Sequence, residues 1–188
     1  TGHVQAEIHI TLRDGSKEVL EPQRIRRTLI RACRGFEDRC DAREMADETM
    51  RNLYDGVRID EIEKAMIFAA KSRIEMDPAY GYVTARLLLE TIYRETLPGF
   101  EHYHDITVAH ASRFKAYLEE GIAADRLSPD LLGFDLEKIA AALKPERDLQ
   151  FNYMGLQTIY DRYLIHIGGR RIESPQFFWM RVCLGLAL

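Results

Sequence analysis

The sequence has few cysteines: Cys33, Cys40 and Cys183 are the three among 188 residues, and Trp179 is the single tryptophan. Thiols this far apart give neither a disulfide framework nor metal-ligand spacing, as expected of a reduced, cytoplasmic protein. No secretory signal or membrane span is visible. The most apolar stretch, Phe177 to Leu188, is short and carries Arg181, so it reads as a buried helix. There is no excess of positive charge either. The formal net charge is −4, so no global field invites nucleic acid, and any anion site must come from a local cluster. Glycine-rich phosphate loops, nucleophile elbows and paired catalytic carboxylates are missing, as are internal repeats and low-complexity segments. What is present is ordinary for a globular protein: 46% hydrophobic and 30% charged residues. The length suits one domain, or a small module plus part of another. With no initiator methionine, and an apolar run at its end, the sequence is expected to be a piece of a longer protein.

Along the chain, Ile8, Ile10 and Leu12 alternate with polar residues, the period-two pattern of a half-buried strand. Asp14-Gly15 supplies a turn and Glu18-Val19-Leu20 a return strand, predicting a hairpin that must lie on something to be stable. Helical periodicity follows. Ile25, Leu29, Ala32 and Cys33 form one stripe behind Pro22, ended by Gly35, while Arg24, Arg27, Arg31 and Arg34 line an adjacent face. A second helix is expected from about Arg43 to Leu53. A third starts near Asp60 as N-cap and presents Ile62, Met66, Ala69 and Ala70. A fourth follows Asp77-Pro78 and buries Val83, Leu87, Leu88 and Ile92. Leu97-Pro98-Gly99 is the natural boundary.

Beyond it, Val108, Ala111, Phe114 and Leu118 predict a helix ended by Gly121. Leu156, Ile159, Tyr160, Tyr163, Leu164 and Ile167 predict another, stopped by Gly168-Gly169, with a short helix around 136–143 between them. Ser174-Pro175 looks like an N-cap followed by proline at the first helical position. Cys33, Cys183 and Trp179 with Phe177 and Phe178 read as core residues. His102, His104, Asp105 and His110 invite a metal reading, but surface histidines beside a helix start are the plainer account, and no metal site is assigned.

Three pieces then stand in a telling order. They are the hairpin Ile10-Thr11-Leu12-Arg13-Asp14-Gly15-Ser16-Lys17-Glu18, the segment Tyr54-Asp55-Gly56-Val57-Arg58-Ile59-Asp60-Glu61-Ile62, and the segment Asp77-Pro78-Ala79-Tyr80-Gly81-Tyr82-Val83-Thr84-Ala85-Arg86-Leu87. Together they resemble an ATP-cone, the small regulatory module at the N-terminus of the large subunit of class I ribonucleotide reductases. Leu156-Gln157-Thr158-Ile159-Tyr160-Asp161-Arg162-Tyr163-Leu164, with Ser174-Pro175-Gln176-Phe177-Phe178 after it, resembles the start of the same enzyme's catalytic domain. The resemblance implies a mainly α fold. A β-hairpin lid on a four-helix bundle would occupy residues 1–97, and helices leading into a reductase α/β barrel residues 98–188.

A nucleoside triphosphate needs cationic or amide donors at its phosphates and an apolar slot for its base. In the resembling family the hairpin reads Val-x-Lys-Arg-x-Gly, then Glu on the return strand and Lys opening the first helix. Residues carried over on that pattern are Leu12, Arg13, Glu18, Arg24, Ile25, Ile59, Glu63 and Arg94. Arg13 and Glu18 match, and Arg24 and Arg94 keep the charge of family lysines. Leu12 stands where the family has lysine, and Ile59 and Glu63 stand where nucleotide-binding members have Thr and His. Two readings stay open: a sensor of ATP or dATP (with Mg²⁺) that sets overall activity, or a degenerate inner cone that serves as a structural or subunit-interaction module. The resemblance further implies a ribonucleoside-diphosphate reductase as parent, making deoxyribonucleotides for DNA synthesis. Its partners would be a radical-generating small subunit, other large subunits and a preceding second cone, with no nucleic acid and no membrane. The 188 residues alone are expected to be catalytically inert, since the family's redox cysteines and relay tyrosines lie further along the parent chain.

Overall fold

The computed structural model describes residues 7–100 and 105–188. The chain is mainly helical and falls into two compact units, Thr1–Leu87 and Leu88–Leu188.

The first unit opens with the expected hairpin. Strand β1 (His9–Thr11) pairs antiparallel with β2 (Lys17–Val19), Ile10 opposite Glu18. Gly15 takes a φ of +85°, which favours glycine, and the Asp14 carboxylate accepts the Ser16 amide at 2.9 Å and its hydroxyl at 2.6 Å. Helix α1 (Pro22–Ala32) buries Ile25, Leu29 and Ala32, and Gly35 follows at a φ of +84°. Helix α2 (Ala42–Arg51) is capped by Asp41, whose carboxylate accepts the Arg43 and Glu44 amides at 2.9 Å each.

Between α2 and α3 the structure adds an element that the periodicity did not predict. Val57–Arg58 forms strand β3, parallel to β1, so the hairpin becomes a three-stranded sheet of order β2-β1-β3. Val57 is 1% exposed and sits in the core beneath the sheet. Helix α3 (Ile59–Lys71) starts earlier than expected. Asp60 lies in its first turn and pairs with Arg58 Nε at 3.0 Å, whereas Arg58 occupies the N-cap position and its amide is held by Glu61 at 3.0 Å. Helix α4 (Ala79–Thr96) contributes Ala79, Tyr80, Val83 and Leu87 to this core.

In the second unit α5 (Ile106–Ala123) runs through Gly121 instead of ending there. A Cβ at Gly121 would lie 2.5 Å from Leu127 Cδ1, so the glycine makes room for the chain folding back. The buried face of α5 carries His110, Phe114, Tyr117 and Leu118, while Val108 is 71% exposed. The expected stripe was therefore rotated, because His110 and Tyr117 were not counted as core residues. After a 3₁₀ turn (Pro129–Gly133) come α6 (Leu136–Ala141), a second 3₁₀ turn (Pro145–Gln150) and α7 (Tyr153–Arg162). Helix α7 ends before Tyr163, which is exposed, and Gly168-Gly169 turns a small hairpin of β4 (His166–Ile167) and β5 (Arg170–Arg171) rather than stopping a helix.

Helix α8 (Pro175–Leu186) starts as expected, with Ser174 as cap and Pro175 in the first turn. Its Phe177 is fully buried and stacks on Tyr117 with ring centroids 4.8 Å apart. Trp179 and Cys183, read as core, are exposed. An apolar run broken only by Arg181 gives little sign of which face turns inward. His110, read as a surface histidine, is fully buried; its ring nitrogens contact Ile106 O at 2.8 Å and Ser174 Oγ at 2.9 Å. His102 and His104 lie outside the described residues, and among those described no group of three or more His, Cys, Asp or Glu side chains could hold a metal. Nor is any described helix long and apolar enough to cross a membrane.

Candidate nucleotide site

The residues carried over from the cone pattern separate into paired charges and apolar plugs. Arg13 extends from the hairpin loop to α3, where its Nη2 meets both oxygens of Glu63 at 3.2 and 3.1 Å. The two ends are unequally wet: the Arg13 side chain is 47% exposed and that of Glu63 only 8%. Glu18 on β2 takes Arg24 Nη1 at 2.7 Å, both side chains being about half exposed. One turn along, Arg27 pairs with Glu21 at 3.1 Å. The arginine face of α1 is thus interleaved with acids from the chain just before it, as an ordinary solvated ion-pair face would be.

Leu12, Ile25 and Ile59 all belong to the apolar cluster of the first unit. Ile25 lies inside it at 3% exposure, and Leu12 and Ile59 pack partly buried against it. Arg94 belongs to the second unit, where it bonds Glu90 at 2.7 Å, one helical turn away on α4.

Several contacts that hold this region were not anticipated. Gly56 donates its amide to His9 O at 2.8 Å, and Thr11 Oγ1 donates to Gly56 O at 3.0 Å. Asp55 accepts both the His9 amide (2.7 Å) and ring Nδ1 (3.0 Å). Tyr54 donates to Glu61 at 2.9 Å. The sequence signal was the turn-forming Asp55-Gly56 beside a lone apolar Val57, too short a stretch for a periodicity to register. The two buried thiols behave as core groups: desolvation pushes Cys33 up to about 12 and Cys40 up to about 11, with the neighbouring acids adding to it.

Comparison with known proteins places this geometry. The model of the ATP cone domain matches residues 8–95, and that of the ribonucleotide reductase all-alpha domain matches residues 149–188. The ribonucleoside-diphosphate reductase subunit alpha of Chlamydia muridarum is 42% identical over 177 residues, covering 94% of this chain and 17% of its own length. That of Chlamydia trachomatis is 41% identical over 182 residues (96% and 17%), and that of Helicobacter pylori 31% over 183 (96% and 22%). The chain belongs to the ribonucleotide reductase large-subunit family. It spans about a fifth of the length of these relatives. Position 12 holds an apolar residue packed against the core, and position 63 holds an acid bonded to Arg13.

Proposed function

We propose that this chain is the N-terminal regulatory part of a ribonucleoside-diphosphate reductase large subunit, with residues 1–97 as its cone and 98–188 as the first helical part of the catalytic domain. The parent would reduce ribonucleoside diphosphates in the cytoplasm, together with a radical-generating small subunit and other large subunits. Within that frame the cone is a degenerate one that keeps its fold and has lost useful affinity for ATP or dATP. One observation carries this reading: the largely buried Glu63 carboxylate bonded to Arg13.

A triphosphate that drew on Arg13 would do so beside the largely buried Glu63 carboxylate, a negative charge 3.1 Å from the guanidinium. At an effective dielectric of about 20, two such charges about 6 Å apart repel by about 3 kcal/mol, roughly a hundredfold in affinity. Leu12 removes a further charge-assisted bond of about 1.5–3 kcal/mol. The chlamydial relatives add support from another side. They are longer than the Helicobacter ones, since 177 aligned residues make 17% of the former and 183 make 22% of the latter. That extra length leaves room for a preceding cone that does the sensing.

The sensor reading keeps one observation of its own. The Arg13 and Arg24 side chains remain 47% and 55% exposed, so both can reach a ligand in solvent. Calorimetric titration with ATP and with dATP, each with Mg²⁺, separates the two. We expect the wild-type chain to give no saturable heat below millimolar nucleotide that Arg24→Ala abolishes, and Arg24-dependent binding to be recovered in the triple variant Leu12→Lys, Ile59→Thr, Glu63→His. Micromolar binding by the wild type, abolished in Arg24→Ala, would establish the sensor instead.

A further inference from the structure

We infer that the second unit carries a site for a phosphorylated nucleoside, in the cleft where the ends of α5 and α7 meet α8. The cleft has a volume of about 610 Å³, within the range that holds a small organic ligand. Its floor is aromatic. Tyr163 lies 6.1 Å from Phe178, centroid to centroid, and Phe178 lies 4.8 Å from Trp179. Tyr163, in the lining, is 55% exposed, and Trp179, beside Phe178 at the edge, is 48% exposed, so ring faces remain open to a planar base.

The rim is cationic. Arg126, Arg162 and Arg181 line the cleft, with Asp125 as the one carboxylate among the lining residues. The three arginines are not equivalent. Arg181 is held by Glu173 through Nε at 2.9 Å and Nη2 at 2.8 Å, and its guanidinium lies 5.2 Å over the Phe178 ring. It is a fixed part of the wall and contributes little net charge, because the fully buried Glu173 neutralises it. Arg126 and Arg162 are exposed. Arg126 makes one long contact, 3.5 Å to His166 O, and for Arg162 no hydrogen bond or ion pair is recorded among the described residues. Two available guanidiniums beside a cluster of tilted rings match the two halves of a nucleotide: phosphate to the fork-shaped donors, base to the aromatic faces.

The competing account is plain. Arg162 sits in the last turn of α7, where a cation balances the terminal carbonyls, and Arg126 serves the His166 carbonyl. It predicts no ligand at all.

Trp179, the single tryptophan, abuts the cleft-lining Phe178 at 4.8 Å between ring centroids and so senses changes at this wall. The test is quenching of its fluorescence in the 188-residue chain by AMP, with adenosine and inorganic phosphate as the half-ligands. Saturable quenching by AMP is expected, weakened about tenfold in Arg162→Ala and again in Arg126→Ala, with Arg162→Lys intermediate. Adenosine should bind more weakly than AMP, and phosphate should compete without quenching. Absence of quenching, or quenching by adenosine and AMP that is equal and indifferent to both arginine variants, would overturn the proposal. The outcome is separable from the fate of the cone: nucleotide heat that vanishes in Arg24→Ala and leaves Trp179 unchanged belongs to the first unit.

Discussion

His110 and Asp148, both buried in the second unit, should pull its stability in opposite directions as the pH falls. His110 is closed in by Tyr93 and Phe177, edge-on at 5.3 and 5.2 Å. Ser174 Oγ accepts the Phe177 amide at 3.4 Å, so its proton is available for His110 Nε2, which assigns the imidazole proton to Nδ1, facing Ile106 O. Every polar group is satisfied with the ring neutral, and desolvation lowers its pKa from 6.5 to about 4. Its contribution is therefore whole above pH 6.5 and is lost as pH falls toward 4. Asp148 accepts Tyr93 Oη at 2.6 Å and Gln176 Nε2 at 2.7 Å, yet burial outweighs both bonds and raises it from 3.8 to about 6. Its protonation favours the fold, so its contribution grows as pH falls below about 6 and is lost as pH rises through that value. Between pH 7 and 5 linkage gives a loss of about 2 kcal/mol from the histidine and a gain of about 1 from the aspartate. The wild type should thus lose only about 0.5–1 kcal/mol from this pair. Urea unfolding followed by Trp179 fluorescence reads the unit that holds both groups. Asp148→Asn should unmask a loss of about 2 kcal/mol over that range, and His110→Gln should reverse the slope. A flat profile in Asp148→Asn would refute the reasoning, since nothing would then be left to offset the histidine.

Three further outcomes follow from packing and charge. Ellman's reagent at pH 8 should modify Cys183 at once and leave Cys33 and Cys40 until the first unit unfolds, because the first is exposed and the others are desolvated; a second fast thiol would contradict the packing. Gly121→Ala should cost about 1–3 kcal/mol in chemical denaturation, since its Cβ meets Leu127 at 2.5 Å, whereas Gly133→Ala, with open space around it, should escape that clash. Glu63→Ala should destabilise the first unit by about 1 kcal/mol, a figure kept small because Arg13 is half exposed; a double-mutant cycle with Arg13→Ala giving no coupling would show that the pair contributes nothing.

The strong helical periods were legible because each buried face repeats several times. The stripes of α1, α3 and α4 (Leu29, Ile62, Val83, Leu87) are in the core as expected. The hairpin was legible from two turn residues between alternating runs. Strand β3 was not, since two residues cannot show a period of two, and its pairing with β1 spans 47 positions, from Ile10 to Val57. The rotated face of α5 had a different cause. His110 and Tyr117 enter the core only because Ser174 and Glu173, more than fifty positions away, satisfy their polar atoms, and a local pattern carries no trace of that. For the candidate site, the sequence names residues but not their pairings: that Glu63 and Arg13 meet is a property of the hairpin lying over α3.

If the cone is the degenerate one proposed above, the pairing accounts for how it outlives its ligand. A hairpin of three-residue strands is marginal by itself, and in a binding cone a bound triphosphate would help to hold it down. Here the same positions hold it from within. Leu12 and Ile59 pack against the core, and Glu63 gives Arg13 the negative partner that, on this reading, a phosphate would otherwise be. Each change removes something a ligand needs and replaces something the fold needs. Restoring Lys, Thr and His at these positions should therefore recover affinity at a cost in the stability of the free protein, and nucleotide should return that stability by mass action. Thermal unfolding of the triple variant with and without dATP measures both effects. A variant as stable as the wild type without ligand would show that these three residues had never been compensating for its loss.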